Sequence, residues 1–148
     1  MQQDAEAVVD CAVGNHLKLN PDKIKSIIVG SAIQLSKVNN LQIPAIMVSN
    51  TNIPYSTSVT NLGVILTPTL NWSAQVMRLS KSVHYTLHRL RLKSRLLSYE
   101  LLKLLVNSLI IPFFDDCYLV YDALDVILMD KIEGILNLAI RFIFGIIR

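Results

Sequence analysis

The sequence predicts an α+β fold, with strands in the first half of the chain and helices in the second. Runs of β-branched residues bounded by Pro, Asn and Thr lie before residue 70, as is typical of short strands. After residue 71, apolar residues recur at steps of three and four, as is typical of helices. The 148 residues are enough for about one modest core. We therefore expect a segment with short antiparallel strands at 1–70 and a bundle of about three helices at 71–148.

The first segment begins with three predicted elements. A helix runs from Asp4, a suitable N-cap, to Gly14, a suitable C-terminal stop. The sequence Asn20-Pro21-Asp22 predicts a turn, because all three residue types favour turn conformations. Residues 25–29 are rich in β-branched side chains and predict a strand, which Gly30 ends.

The rest of this segment predicts a polar loop and a small sheet. Residues 36–42 are mostly polar and predict the loop. Residues 45–48 and 59–66 predict strands. A turn is predicted at 50–54, which either joins these strands or precedes a third short strand.

Three helices are predicted in the second segment. The first carries an apolar stripe formed by Trp72, Val76, Leu79, Val83, Leu87 and Leu90. The second begins at Ser98, a good N-cap, and Pro112 stops or kinks it. The third begins near Asp125 and has one narrow polar stripe, so we expect it to have neighbours on most sides.

The composition is apolar for so short a chain. Hydrophobic residues make up 52% and charged residues 17%, and the mean hydropathy is +0.45. A membrane-spanning helix needs about 20 consecutive apolar residues, and charged or polar residues interrupt every such run here. The N-terminus also lacks the pattern of a signal peptide. We therefore expect no membrane segment. We expect instead a surface that has lost its partner and favours self-association.

Charge is unevenly distributed along the chain, whose net charge is +3. Residues 72–97 contain no acidic residue and six basic ones: Arg78, Lys81, Arg89, Arg91, Lys93 and Arg95. Residues 115–133 contain six acidic residues and one lysine. The basic segment predicts either a surface that faces phosphates or a solvated helix face that pairs with the acidic segment.

The cysteines and histidines form no metal-binding motif. Cys11 and Cys117 are far apart, as suits reduced thiols in a nuclear or cytoplasmic protein. His84 and His88 are four residues apart and share a helix face, but no further ligand nearby completes a site. We interpret both histidines as exposed helix residues and predict no metal site in this chain.

The sequence Phe113-Phe114-Asp115-Asp116 matches the [FY]-x-D-D pattern with which reverse transcriptases hold magnesium. A two-metal site needs several carboxylates that converge from separate elements. Here the two aspartates are adjacent and follow Pro112 at the predicted start of a helix, where acidic residues favour the helix dipole. We therefore interpret both aspartates as structural and not catalytic.

Several short motifs occur in a specific order. They are LKLNPDK at 17–23, IPY at 53–55, VTNLGVIL at 59–66, NW at 71–72 and, in the helical half, Pro112, Asp115, Cys117 and RFIFG at 141–145. Together they resemble the back half of a non-LTR retrotransposon reverse transcriptase, closest to the jockey-like and CR1-like LINE elements. The resemblance covers nearly the whole chain. In that family the metal-binding pair precedes the LKLN segment, so the resemblance implies that FFDD is not that pair.

The resemblance implies roles for several residues. Residues 1–70 would be a partial palm edge and residues 71–148 a thumb. Lys23 would lie near the incoming triphosphate as a possible proton donor to the leaving pyrophosphate. Leu62, Gly63 and Val64 resemble the primer grip, a hairpin that supports the primer end. The six basic residues of the 72–97 stretch would contact the phosphates of an RNA–DNA or DNA template–primer duplex.

The function that the resemblance implies is RNA-directed DNA polymerisation, with Mg²⁺ as cofactor of the parent polymerase. The missing palm and fingers would be partners of this fragment. We expect no cofactor in the fragment and no catalysis by it alone, because the metal-binding aspartates are lacking. The alternative is a non-enzymatic helical interaction module or the relic of a decayed element.

Overall fold

The computed structural model describes residues 2–38, 43–115, 121 and 124–145. The helices are α1 (Gln2–Gly14), α2 (Ala32–Val38), α3 (Ser73–Arg91), α4 (Tyr99–Leu109), α5 (Pro112–Asp115) and α6 (Val126–Ile143). The strands are β1 (Ile46–Val48), β2 (Thr51–Ile53), β3 (Val59–Asn61) and β4 (Val64–Leu66). Short 3-10 helices lie at Pro21–Lys23 and Ser94–Leu96. The predicted α+β class is therefore confirmed.

The chain divides into two compact units. The first unit consists of Met1–Asn61 and Ile65–Asn71, and it contains α1, α2 and most of the strand residues. The second unit consists of Leu62–Val64 and Trp72–Arg148, and it contains α3 to α6. The residues Leu62–Val64, which include the turn between β3 and β4, are thus assigned to the second unit, whereas most residues of these two strands are assigned to the first.

In the first unit, α1 is tied to β1 by a side chain at its first residue. The Gln2 amide donates to the Met47 carbonyl at 3.1 Å and accepts from the Met47 amide at 3.0 Å. Because α1 begins at Gln2, Asp4 lies within its first turn, and the prediction of Asp4 as N-cap is wrong. The predicted end at Gly14 is confirmed.

β1 and β2 form an antiparallel hairpin that pairs Ile46 with Ile53. Val48 and Ile53 are buried on the same face of the hairpin, since Val48 is two residues from Ile46, the partner of Ile53. The turn lies at Ser49 and Asn50, both with positive φ. The strand prediction at 45–48 is confirmed, but residues 51–53 of the predicted turn at 50–54 form a strand.

Two other predictions in this unit are wrong. Residues 25–29 do not form a strand, because only Ser26 makes a bridge, in parallel orientation, to Tyr55. Residues 36–38 belong to α2 and not to a loop, and residues 39–42 lie outside the described part of the chain. The predicted turn at Asn20-Pro21-Asp22 is confirmed, since the Asn20 side chain accepts from the Asp22 amide at 3.0 Å.

The strand predicted at 59–66 is a hairpin, with β3 and β4 paired in their own sheet. Its two turn residues are Leu62, with φ of 45°, and Gly63, with φ of 85°. Positive φ at both central residues is the requirement of a type I′ turn, whose twist matches that of the flanking strands. The turn is difficult to predict from the sequence, because the surrounding residues are β-branched and Gly63 is the residue at its centre that is typical of such turns.

The second unit is a helical bundle with one apolar core. α3 packs against α6, and α4 packs against α6 as well. The buried residues of this core are Val76, Leu79, Val83, Leu87, Val106, Ile110, Leu128, Ile132, Ile135, Ala139 and Phe142. Trp72 and Leu90, at the ends of the predicted stripe on α3, are partly buried against it. The stripe is therefore confirmed as core.

The ends of these helices follow the capping residues of the sequence. The Ser98 hydroxyl accepts from the Leu101 amide at 3.4 Å, and the Asp125 carboxylate accepts from the Leu128 amide at 2.8 Å. α4 ends at Leu109, and Pro112 is the first residue of α5, a position that proline favours. Among the described residues, no helix combines the length and the apolar character that crossing a membrane requires.

Candidate nucleic-acid interface

The core packing of α3 determines which of its side chains face outward. Since helical residues rotate by about 100° each, the buried residues of α3 define its inner face. Positions 78, 81, 85 and 89 follow one another at spacings of three and four, so they share the opposite face. These positions are occupied by Arg78, Lys81, Tyr85 and Arg89, and all four are exposed. α3 therefore presents three cations and a tyrosine on one outward face.

The remaining three predicted cations surround the C-terminal end of α3. Arg91 lies two residues after Arg89, which places it about 200° further around the helix. Lys93 is in the turn that follows, and Arg95 lies in the 3-10 helix Ser94–Leu96. All three are exposed. The six predicted residues therefore form an outer face and a basic end, and not a single stripe.

Arg78 contacts the hairpin turn. Its guanidinium donates a hydrogen bond to the backbone carbonyl of Gly63, within the second unit. A cleft of about 370 Å³ adjoins this contact, and its lining includes Leu62, Arg78 and the buried Gln75. The structure thus brings together one predicted phosphate-binding residue and the predicted primer-grip turn.

Arg89 contacts an aromatic ring that the sequence interpretation missed. Its guanidinium carbon lies 5.7 Å from the centroid of the Tyr85 ring, within the range of a cation–π contact. Tyr85 is 64% exposed. An exposed aromatic ring beside a cation is the combination on which nucleic-acid bases stack. The four-residue spacing of Tyr85 and Arg89 on a helix was the signal that could have indicated this pair.

The six cations are not neutralised by carboxylates within the described residues. Arg78 bonds to the Gly63 carbonyl, Arg89 lies over a ring, and no ion pair joins any of the six to a described acidic side chain. The described members of the acidic segment are Asp115, Asp125, Asp130 and Glu133, and Asp116 and Asp122 lie outside the description. Within the described part of the chain, the positive charges of these six side chains are therefore available to bind a ligand.

Lys23 belongs to the first unit. It is the last residue of the 3-10 helix Pro21–Lys23, where its amide donates to the Asn20 carbonyl at 3.1 Å. Its side chain is exposed. The backbone here is held by local hydrogen bonds, which fixes the point from which the long side chain extends.

The described residues do not fit a magnesium site. Asp115 is exposed in the single turn of α5, Asp116 lies outside the description, and within the described ranges no three metal-ligating side chains come together. His84 donates from Nδ1 to the Ser80 carbonyl at 2.8 Å, which leaves one ring nitrogen open.

Comparison with known proteins gives no relative: no family model matches the chain, and neither a curated protein nor a solved structure matches it significantly. The resemblance to non-LTR retrotransposon reverse transcriptases therefore rests on the motifs of the sequence and stays a prediction.

Proposed function

We propose that this chain is the palm-edge and thumb portion of an RNA-directed DNA polymerase of the non-LTR retrotransposon type. In this proposal it holds an RNA–DNA or DNA template–primer duplex by phosphate contacts and acts together with the palm and fingers of the parent enzyme. The ordered sequence motifs support the proposed class of polymerase. The exposed side chains of α3 support the proposed mode of duplex binding.

One observation carries the binding role. Lys81 and Arg89 lie on the outward face of α3, exposed and without an acidic partner among the described residues. Contacts from such side chains to phosphates position a duplex without reading its sequence. Tyr85 between them offers a ring against which an unpaired base at the end of the duplex can stack.

The hairpin turn supports the same role. Arg78 fixes the Gly63 carbonyl, so the turn is held against α3 and the exposed Leu62 side chain is left outward. We propose that this turn contacts the primer end, as the resemblance implies for Leu62, Gly63 and Val64. Arg78 is then a positioning residue for the turn, and its remaining N–H groups can still reach a phosphate.

The chemical step belongs to the parent enzyme in this proposal. Mg²⁺ would be held by residues outside this chain and would stabilise the charge that develops on the phosphates. Lys23, in a locally fixed backbone, would donate a proton to the pyrophosphate leaving group.

The experiment is a salt titration of duplex binding. Each neutralised phosphate contributes about 0.9 to the slope of log K against log salt. Replacing Lys81 and Arg89 with Gln should reduce the slope by about two units, while helical circular dichroism stays unchanged. The matched control replaces Lys103 and Arg141, two exposed cations on α4 and α6, and should leave the slope unchanged. Equal losses in both variants would mean that binding depends on net charge alone, and the proposed interface would be wrong.

A second titration examines the basic end of α3. Replacing Arg91, Lys93 and Arg95 with Gln should reduce the slope by roughly two to three units if all three contact phosphates. If these residues pair with the acidic segment instead, the triple variant should unfold at a lower temperature and keep its slope.

A second candidate function is a non-enzymatic helical interaction module. The specific observation in its favour is the exposure of three leucines: Leu92 just after α3, Leu96 in the 3-10 helix and Leu104 on α4. Where exposed apolar side chains form a contiguous patch, they mark a protein interaction site.

A further inference from the structure

A groove of about 680 Å³ lies between the C-terminal half of α3, the turn after it and α4. Most of its lining is apolar and comes from Leu90, Leu92, Leu97, Leu105, Leu109 and Phe113. Arg89 and Lys93 are the two cations that border it. The whole groove lies within the second unit. Its chemistry suits an apolar helix face that carries acidic residues.

The first half of α6 presents such a face to solvent. Val126 and Ile127 are 76% and 67% exposed. Asp130 and Glu133 follow at helical spacing on the same side and are also exposed. Gly134 lies beside them, and a side chain there would meet no atom within 4 Å. The face therefore combines two apolar anchors, two carboxylates and a position without a side chain.

The charges on the two surfaces have similar spacings along their helices. Asp130 and Glu133 are three residues apart, which corresponds to a rise of about 4.5 Å along a helix. Arg89 and Lys93 are four residues apart, or about 6 Å in the same measure, and Lys93 retains a helical backbone conformation. None of the four side chains forms an ion pair within the described part of the chain.

We propose that copies of this chain associate by docking the first half of α6 of one copy into the α3–α4 groove of another. In this contact, Val126 and Ile127 pack against the apolar lining of the groove. The carboxylates of Asp130 and Glu133 form ion pairs with Arg89 and Lys93 of the other copy. This is a helix-in-groove contact, in which the apolar face of a helix enters a hydrophobic groove. Since each copy carries both surfaces, the contact is heterologous and joins further copies into a ring or an open chain.

This association goes beyond the proposed duplex binding and does not depend on it. The two functions share Arg89 and Lys93, so a duplex and a second copy exclude each other at this surface. A second copy is favoured over a nucleic acid as the occupant of the groove itself, because the apolar lining has no charged group that would bind a phosphate backbone.

The experiment uses sedimentation velocity of the full chain without nucleic acid and two charge-reversed variants. One variant carries Arg89→Glu and Lys93→Glu, and the other carries Asp130→Lys and Glu133→Lys. Wild-type protein should form concentration-dependent assemblies. Each variant alone should associate at least about tenfold more weakly, because it sets like charges against each other. An equimolar mixture should regain assembly, since every groove then meets a helix of opposite charge.

The proposal is overturned by a wild-type chain that stays monomeric at high concentration, by variants that assemble as strongly as the wild type, or by a mixture that does not regain assembly. Assembly that requires added duplex also contradicts it and assigns the groove to nucleic acid. If a charge-reversed variant loses its helical circular dichroism, the neutral pairs Arg89→Gln with Lys93→Gln and Asp130→Asn with Glu133→Gln replace it. Each neutral pair must then weaken association, whereas the neutral control pair Lys103→Gln with Arg141→Gln must not.

Discussion

The guanidinium of Arg78 donates a hydrogen bond to the carbonyl of Gly63 and so ties the hairpin turn to α3. Fifteen residues separate the two in sequence. The acceptor lies in a turn whose other central residue, Leu62, has positive φ and is 97% exposed. Leu62 therefore contributes little packing, and the bond to Arg78 is a described side-chain contact that ties the turn to α3.

Removing this bond should loosen the turn without unfolding the helices. Arg78→Gln shortens the side chain and removes the charged donor, which lowers the free energy of local opening of the turn by about 0.5–1.5 kcal/mol. Amide hydrogen exchange at Gly63 and Val64 should become faster, while exchange in α6 stays the same. Lys81→Gln, on the same face of α3, serves as control. Equal exchange rates in the two variants would show that Arg78 does not hold the turn.

The turn residues give a pair of predictions of opposite sign. A non-glycine residue in the left-handed region costs about 1–2 kcal/mol, and Asn-Gly is the favoured pair of a type I′ turn. Leu62→Asn should therefore raise the free energy of unfolding by up to about 1 kcal/mol, since little packing is lost. Gly63→Ala should lower it, because alanine is strained at φ of 85°. Urea unfolding of both variants checks these signs, and a destabilised Leu62→Asn would mean that Leu62 makes contacts that its exposure does not show.

Two leucines near the end of α3 should differ strongly in their contribution to stability. Leu87 is buried in the helical core, whereas Leu92 is 70% exposed. Leu87→Ala should cost about 2–5 kcal/mol, because it leaves a cavity. Leu92→Ala should change stability by less than about 0.5 kcal/mol. Thermal and urea unfolding measure both, and similar losses for the two variants would contradict the core described for this unit.

The purified chain should not extend a primer on an RNA template in the presence of Mg²⁺. The reason is chemical: a two-metal site needs carboxylates that converge from separate elements, whereas Asp115 is exposed in a single helical turn and Asp116 is its neighbour in sequence. Primer extension with labelled nucleotides measures this directly. Extension above the buffer control that is abolished by Asp115→Asn or Asp116→Asn would falsify the structural interpretation of FFDD.

The helices of the second unit could be predicted because their signals are local. Ser98 and Asp125 cap α4 and α6 as the sequence indicates, and the apolar stripe of α3 is its buried face. A comparable signal before α2 was overlooked. Ser31 and Gln34 form a capping box, in which the Gln34 amide donates to the Ser31 hydroxyl at 3.3 Å and the Ser31 amide donates to the Gln34 side chain at 3.1 Å.

The strands could be predicted less well because pairing is not local. Residues 25–29 have the composition of a strand, yet apart from the bridge at Ser26 no partner strand is seen in the described residues. The hairpin at 59–66 was hidden, since Leu62 does not resemble a residue of a type I′ turn. The Tyr85–Arg89 contact is local, and its four-residue spacing on a helix could have indicated it. The α3–α4 groove depends on tertiary packing, which no motif in the sequence encodes.

The hairpin turn makes the division of this chain discontinuous in sequence. Along the chain, Leu62–Val64 belong to the second unit, Ile65–Asn71 belong to the first, and the residues from Trp72 onward belong to the second again. A gene fragment that starts at Trp72 would therefore encode the helices α3 to α6 but not the Gly63 carbonyl to which Arg78 donates. Recombination just before Trp72 would have the same effect, because the carbonyl at position 63, to which Arg78 donates, would then come from a different sequence. The helical unit becomes a transferable module only when the segment from Val59 onward travels with it.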